Sequence, residues 1–202
     1  MVEATDANPW DEPAAGWDDE PAARAYADAA YASLIEVLDT RGIDPSGALV
    51  CDFGCGTGLL TELLVESVTA IDAVDTSTGM LGVLRRKIAD RSWTNVTASV
   101  EPVKSAGPYD LVVCSSVCSF LDDYPGTVQH LGSLLAPGGV FIQWDWERPD
   151  GSDEPHALSR REMEAAIASA GLVEVQVMTA FELAIDGHLM APLKGLGQRP
   201  TP

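Results

Sequence analysis

The sequence predicts an α/β fold: a doubly wound, seven-stranded, mainly parallel sheet with a C-terminal antiparallel strand pair and helices on both faces. Three features point to it. Short apolar runs alternate with stretches whose apolar residues recur every three or four positions, the pattern of strands and helices taking turns. A glycine-rich stretch, Gly54-Cys55-Gly56-Thr57-Gly58, separates the first apolar run from the helical stretch after it. The last two apolar runs have no helical stretch between them, so they are expected to pair as a hairpin.

From Pro21 the chain reads as a helix, with Tyr26, Ala30, Leu34 and Leu38 one turn apart, until Gly42, Pro45 and Gly47 break it. Ala48-Leu49-Val50-Cys51 makes the first strand and runs into Asp52-Phe53. Leu59, Leu60, Leu63 and Leu64 mark the next helix. Val68 to Val74 is a second strand, followed by a helix carrying Met80, Leu81, Leu84 and Ile88. Asn95 to Val100 forms a third strand. The fourth, Tyr109 to Ser115, contains Leu111-Val112-Val113, apolar enough to be covered on both faces. A helix with Val128, Leu131 and Leu135 is expected to stop at Pro137-Gly138-Gly139, before a fifth strand from Val140 to Trp146. Ser159 and Glu162 have capping-box spacing, and the helix they open holds Met163, Ile167 and Ala170, with Gly171 suited to its left-handed end. Leu172 to Leu183 and His188 to Leu196 are the last two strands.

A chain of 202 residues suits a single core. It has no run of about 18 apolar residues and no basic flank before an apolar run at its start, so a cytoplasmic protein without membrane contact is expected. Asp and Glu number 31 against 12 Lys and Arg, a formal net charge of −19, and such a surface repels phosphate backbones. Nucleic acid is therefore not an expected partner, and Arg85-Arg86-Lys87 with Arg91 reads as a solvated helix face. Cys51, Cys55, Cys114 and Cys118 lack the spacing of a zinc site and are expected to be buried, reduced thiols, with no metal bound. Residues 1–20 carry Glu3, Asp6, Asp11, Glu12, Asp18, Asp19 and Glu20 with no basic residue, the composition of a disordered tail ahead of a domain spanning 21–202. Trp10 and Trp17 argue for docking instead, and Trp17 suggests a lid.

The glycine-rich turn lets the backbone approach a ligand closely. Its G-x-G-x-G spacing departs from the G-x-G-x-x-G of dinucleotide sites, with Leu59 where a small residue belongs, and no Gly-Lys-Ser/Thr follows as in a P-loop. Asp75 closes the second strand, where a carboxylate can accept both hydroxyls of a ribose lying across the sheet.

Four segments, DFGCGTG (52–58), AVDTSTGML (73–81), YDLVVCSSV (109–117) and LLAPGGVFIQWDWE (134–147), resemble in order and spacing the motifs of class I S-adenosylmethionine-dependent methyltransferases. The resemblance covers about residues 22–200. It implies that Asp52 supports the methionine end of S-adenosyl-L-methionine, that Gly54, Cys55, Gly56 and Gly58 let the backbone pass beneath it, and that Asp75 holds the ribose. Thr76 and Met80 would flank the adenosine. The stretch Ser99, Val100 and Glu101 stands where family members contact the adenine, and Ser115 and Ser116 stand where methyl donor and acceptor meet. The family's frequent histidine after the fourth strand is replaced by Cys118-Ser119-Phe120. Tyr26, Tyr31 and Arg24 resemble groups that other members lay over the cofactor.

The resemblance implies methyl transfer to an oxygen, nitrogen or carbon atom of an acceptor. The family's Asn-Pro-Pro-Tyr and Pro-Cys segments for nucleic-acid bases are absent, the fourth strand ends in serine rather than a magnesium-binding aspartate, and the chain is too short for a substrate domain. A small-molecule acceptor is expected. A general base, if used, is sought at His156 in the loop after the fifth strand, at Asp145 between Trp144 and Trp146, or at Glu147. Three other readings stand beside this one: a catalytically silent S-adenosylmethionine-binding protein, a protein or peptide methyltransferase, and a nicotinamide-dependent oxidoreductase.

Overall fold

In the computed structural model, which describes residues 8–101, 108–149, 151–185 and 187–202, the first long element is α1 (Pro21–Arg41). Pro21 starts it at the position where its missing amide costs nothing, and Gly42 ends it in the left-handed conformation. It buries Tyr26, Ala30, Leu34 and Leu38, as their spacing requires, together with Ala27, Ser33 and Val37. Then follow β1 (Leu49–Phe53), α2 (Leu59–Leu64), β2 (Ala70–Val74), α3 (Thr78–Arg91), β3 (Val96–Ser99), β4 (Tyr109–Ser115), α4 (Tyr124–Ser133), β5 (Leu135–Asp145) and α5 (Arg160–Ser169). The chain ends in β6 (Val173–Thr179), a short ribbon of β7 (Leu183–Ile185) and β8 (His188–Met190), and β9 (Leu193–Gln198). The capping box closes as expected: the Ser159 hydroxyl accepts from the Glu162 amide and the Glu162 carboxylate accepts from the Ser159 amide.

Seven strands form one sheet in the order β3-β2-β1-β4-β5-β9-β6, parallel except for β9. One apolar layer joins α1, α2 and α3 to the sheet through residues such as Leu34, Leu64, Leu81 and Ile142. The opposite layer joins α4 and α5 through Val128, Leu131, Phe141, Met163 and Ile167. Strand order reverses between β1 and β4, so a crevice opens beyond their C-terminal ends, the place where doubly wound sheets bind ligands.

Two boundaries differ from the sequence reading. Leu135 does not extend α4. It opens β5 opposite Tyr109, and Ala136 to Gly139 bulge out before pairing resumes at Leu111 and Val140. Gly139 lies so close to the Tyr109 carbonyl that a Cβ there would sit 2.9 Å from it, so the bulge tolerates no side chain at that position. The terminal strands do pair antiparallel, β6 with β9, but Leu183 and the residues from 188 to 190 leave the main sheet for the two-stranded ribbon β7–β8. The four cysteines are free and buried. Among the described residues no helix is long and apolar enough to cross a membrane, and no cluster of His, Cys, Asp or Glu is arranged to hold a metal.

Candidate active site

A cavity of about 1020 Å³ occupies the crevice beyond β1, β2 and β4. Its floor is the glycine turn. The Gly54 and Cys55 amides both donate to the Val74 carbonyl, at 2.7 and 3.0 Å, tying the turn to the end of β2. Gly54 and Gly58 adopt φ of 72° and 83°, which glycine alone reaches without strain. At Gly54 a side chain would also collide with Val117, and at Gly58 with Leu84. A Cβ at Gly56 would meet nothing within 4 Å.

Of the residues singled out in the sequence, Asp52, Gly54, Cys55, Gly56, Asp75, Thr76, Met80, Val100 and Ser115 line this cavity. Gly58 does not; it shapes the turn as the residue before α2. Ser99 and Glu101 also stand outside the lining, and the Ser99 hydroxyl donates to the Glu101 carbonyl at 2.5 Å, a local bond that closes the chain on itself.

Two carboxylates face the cavity in different states. Asp75 accepts from the Gly56 amide and the Ser77 amide, each at 2.8 Å, and each oxygen keeps a further lone pair. Burial nevertheless raises its pKa above the usual carboxylate value. Asp52 is 1% exposed. One of its oxygens accepts from the Thr61 hydroxyl at 2.6 Å, and the other has no partner among the described residues. Burial foremost, with the neighbouring Asp75 charge adding to it, pushes its pKa up to about 6.

None of the three base candidates is among the residues lining this larger cavity. In a strand, successive side chains point to opposite faces. Trp144 is fully buried with its indole donating to Ser33 at 3.2 Å, and Trp146, just past the end of β5, packs against the same apolar layer and forms part of the cavity wall. Asp145 points the other way, fully buried, and accepts from the Ser119 and Trp146 amides at 3.1 Å each. Burial raises its pKa. Its position is that of a peg under the short 3-10 turn Cys118–Phe120 rather than of a group touching an acceptor. His156 is exposed and stacks on Phe120 with ring centroids 4.5 Å apart. Together with Trp146, Glu147, Glu154 and Met190 it lines a second cavity of about 450 Å³, which shares Phe120, Trp146 and Met190 with the first. Glu147 is gripped by Arg160 through both oxygens, at 2.7 and 3.0 Å.

Residues 8–20, which composition reads as a disordered tail and Trp10 and Trp17 as docked, are docked, with Asp11 and Asp18 among the side chains that hold them. Residues 1–7, with Glu3 and Asp6, lie outside the described part. Asp11 accepts from the Ser77 hydroxyl at 2.6 Å and the Gly79 amide at 2.8 Å. Asp18 accepts from the Thr57 hydroxyl at 2.5 Å and pairs with Lys87 at 2.6 Å, so part of the basic cluster is held in ion pairs rather than solvated. Lys87 and Arg91 also reach Glu62. The Arg24 guanidinium donates to the Asp18 carbonyl. Trp10 meets Trp17 and Phe120 edge-on, at 5.7 and 5.3 Å, and both tryptophans line the cavity. Tyr26 lines it too, against Trp146, whereas Tyr31 packs on the core.

Phe120 was not singled out in the sequence, and only its aromatic character in a turn after β4 could have marked it. Ser116, beside the cavity, has φ of 56°, a conformation costly for a residue with a side chain and one that clusters at functional sites.

A family model described as a methyltransferase domain matches residues 23–184. The chain belongs to the class I S-adenosylmethionine-dependent methyltransferases. This methyltransferase-family chain is 37% identical over 117 residues to the trans-aconitate 2-methyltransferase of Methylobacterium nodulans, a match covering 56% of the chain and 43% of that relative. It is 30% identical over 123 residues to the malonyl-[acyl-carrier protein] O-methyltransferase of Priestia megaterium, covering 58% and 44%. The chain thus matches less than half the length of these relatives. Among solved structures, the magnesium protoporphyrin IX methyltransferase of Synechocystis PCC 6803 with bound SAM superposes with a TM-score of 0.64 at 20% identity, over 84% of this chain and 78% of that one. A Haloferax volcanii methyltransferase solved with the Trm112 methyltransferase activator gives 0.70 at 18%, over 96% and 98%. At such identities these two likenesses are of fold.

The site's residues fit the family's cofactor. S-adenosylmethionine carries an ammonium and a sulfonium, and the cavity offers the unpartnered oxygen of Asp52, the Asp75 carboxylate and a glycine turn with open space above Gly56.

Proposed function

We propose that this chain transfers a methyl group from S-adenosylmethionine to a small-molecule acceptor, in the cytoplasm and without a nucleic-acid partner. The observation that carries the reading is the single cavity that runs from the Asp75 and glycine-turn end to the aromatic wall of Trp146, Phe120 and Tyr26, room for a donor and an acceptor in one enclosure. Bound there, S-adenosylmethionine would supply an activated methyl on a positive sulfur for an acceptor lone pair. The chain's own part is to orient and to exclude water. Asp75 would accept hydrogen bonds from the ribose hydroxyls, the glycine turn would hold the methionine end, and Asp52 would offer its free oxygen to the ammonium. The Ser115-Ser116 end of β4 and Tyr26 of α1 would border the reacting end. Residues 8–20 serve as a lid: Trp10 and Trp17 cover the crevice while Asp11 and Asp18 pin them to α3 and the glycine turn.

A melting-temperature series tests the reading. S-adenosylmethionine and S-adenosylhomocysteine at about 100 times their dissociation constants should each add about 2.7 kcal/mol of stability, and NAD none. A rise with NAD alone would turn the assignment toward an oxidoreductase, and tight adenosyl binding without turnover over a broad acceptor panel would mark a silent binding protein. Within the same series, Trp17→Ala is expected to weaken adenosyl binding several-fold while leaving the unliganded melting temperature within a few degrees. Undiminished binding would remove the lid from the account.

Asp52 adds a pH signature. Its folded pKa of about 6 lies above the ordinary carboxylate value, so the fold favours the neutral acid. That contribution to stability is full below the unfolded pKa and is lost as pH rises through 6. A cation beside Asp52 favours the ionised form, so cofactor binding should release a proton near pH 6 and tighten about tenfold between pH 5 and 7. Calorimetry in two buffers of different ionisation heat measures the proton directly. Asp52→Asn should flatten the profile, and an unchanged slope in that variant would place the titration elsewhere.

A further inference from the structure

We infer that the acceptor is a positively charged amine on a flat, apolar body, and not a carboxylic acid; the inference rests on the methyltransferase reading of the site. Among the described residues, neither cavity is lined by a lysine or arginine. The charged side chains on the two walls are Glu12, Glu20, Asp52 and Asp75 in the larger, and Glu147 and Glu154 in the smaller. Asp52 and Asp75 stand at the donor end. Glu147 is neutralised by its ion pair with Arg160. Glu154 has no ion-pair partner among the described residues, and it sits at the rim of the smaller cavity where an acceptor would enter. A carboxylate brought here would lose its hydration with no lysine or arginine among the described wall residues to replace it, and would do so inside the field of a protein of net charge −19.

The shape of the passage defines the rest of the acceptor. Phe120 and Trp146 belong to both cavities and so form the neck between them. His156 lies flat on Phe120, its ring plane within 18° of parallel, which extends that wall as a planar surface. Met190 and the exposed Leu189 of the β7–β8 ribbon supply an apolar edge, Leu189 leaving 67% of its surface uncovered. A flat hydrocarbon framework slides between such walls with large contact area, and an ammonium attached to it comes to rest over aromatic faces and against Glu154. The relevant length is that of a two-point ligand: the cation is held at Glu154, while the atom that receives the methyl lies through the neck, beside Ser116 and Tyr26.

Three probes with one ring system and different charge separate the effect of charge from that of shape: naphthylmethylamine, naphthylmethanol and naphthoate. Their binding is measured by calorimetry on the whole chain, with and without S-adenosylhomocysteine. The amine is expected to bind at least tenfold more tightly than the carboxylate, with the alcohol between them, and the gap should narrow at high salt. Glu154→Gln is expected to reduce the amine-over-carboxylate ratio several-fold while S-adenosylhomocysteine affinity stays unchanged. Equal or tighter binding of naphthoate, no binding of the amine at millimolar concentration, or an unaltered ratio in Glu154→Gln overturns the inference. Absence of S-adenosylhomocysteine binding in the same titrations sinks the methyltransferase reading, and the ranking of the three probes then decides this inference by itself.

Discussion

Gly54→Ala is expected to lower the melting temperature by several degrees and to abolish detectable binding of S-adenosylmethionine. Two costs add. The backbone there has φ of 72°, and forcing a residue with a Cβ into the left-handed region costs about 1–2 kcal/mol. The new methyl would then lie 2.4 to 2.7 Å from the three side-chain carbons of Val117. Valine is branched at Cβ and cannot swing away, so the turn after β4 has to move, and overpacking of this kind costs about 1–3 kcal/mol more. Against a total stability of about 5–15 kcal/mol the sum is large. The loss of binding follows from geometry: Gly54 and Val117 both line the cavity, and parting them displaces the floor against the wall. Gly56→Ala is the control. Its φ is 55°, but its Cβ would enter open space, so it should destabilise less while still placing a methyl under the ligand. Equal melting temperatures for Gly54→Ala and the parent would show that the Val117 contact is not tight.

Asp75→Ala should reduce affinity for S-adenosylmethionine and S-adenosylhomocysteine by roughly 100-fold or more. Hydrogen bonds to a charged group contribute about 1.5–3 kcal/mol each, and a carboxylate that accepts both ribose hydroxyls makes two. The carboxylate also holds the Gly56 and Ser77 amides, so the glycine turn loosens when it is removed. The fold should tolerate the change. Because burial raises the Asp75 pKa, its ionised form already carries a cost in the folded state, and losing that cost offsets part of the two lost hydrogen bonds. A melting temperature within a few degrees of the parent, with binding gone, is the expected pair of results. Asp75→Asn, which keeps one acceptor oxygen, should fall between. Full affinity in Asp75→Ala would remove the ribose role and with it the orientation of the cofactor in the cavity.

Much of this site was legible because its parts are local. A glycine turn between a strand and a helix declares itself by backbone freedom, and the acidic residue at the end of the next strand is one strand away in β2, paired in register with β1. The adenine stretch was less legible. Of Ser99, Val100 and Glu101 only Val100 faces the cavity, since Ser99 turns back to bond the Glu101 carbonyl. The acidic tail was only half legible: Trp10 and Trp17 argue for docking, but composition counts charges without their partners. Asp11 and Asp18 looked like solvating groups, and each instead meets a donor on α3 or the glycine turn.

The order of strands and helices as far as α5, the glycine turn and the carboxylate after β2 were determined by the sequence by itself, because periodicity and backbone freedom are properties of a few neighbouring residues. Which side chains meet was decided only by the tertiary structure. Alternation along β5 must place Trp144 and Asp145 on opposite faces, but nothing within the Trp-Asp-Trp segment says which face fronts the cavity. Sheet order settles it, by setting α1 and Tyr26 against Trp146 and the 3-10 turn at residues 118–120 over Asp145. Sequence neighbours share a backbone; the cavity is made by residues that share only a surface.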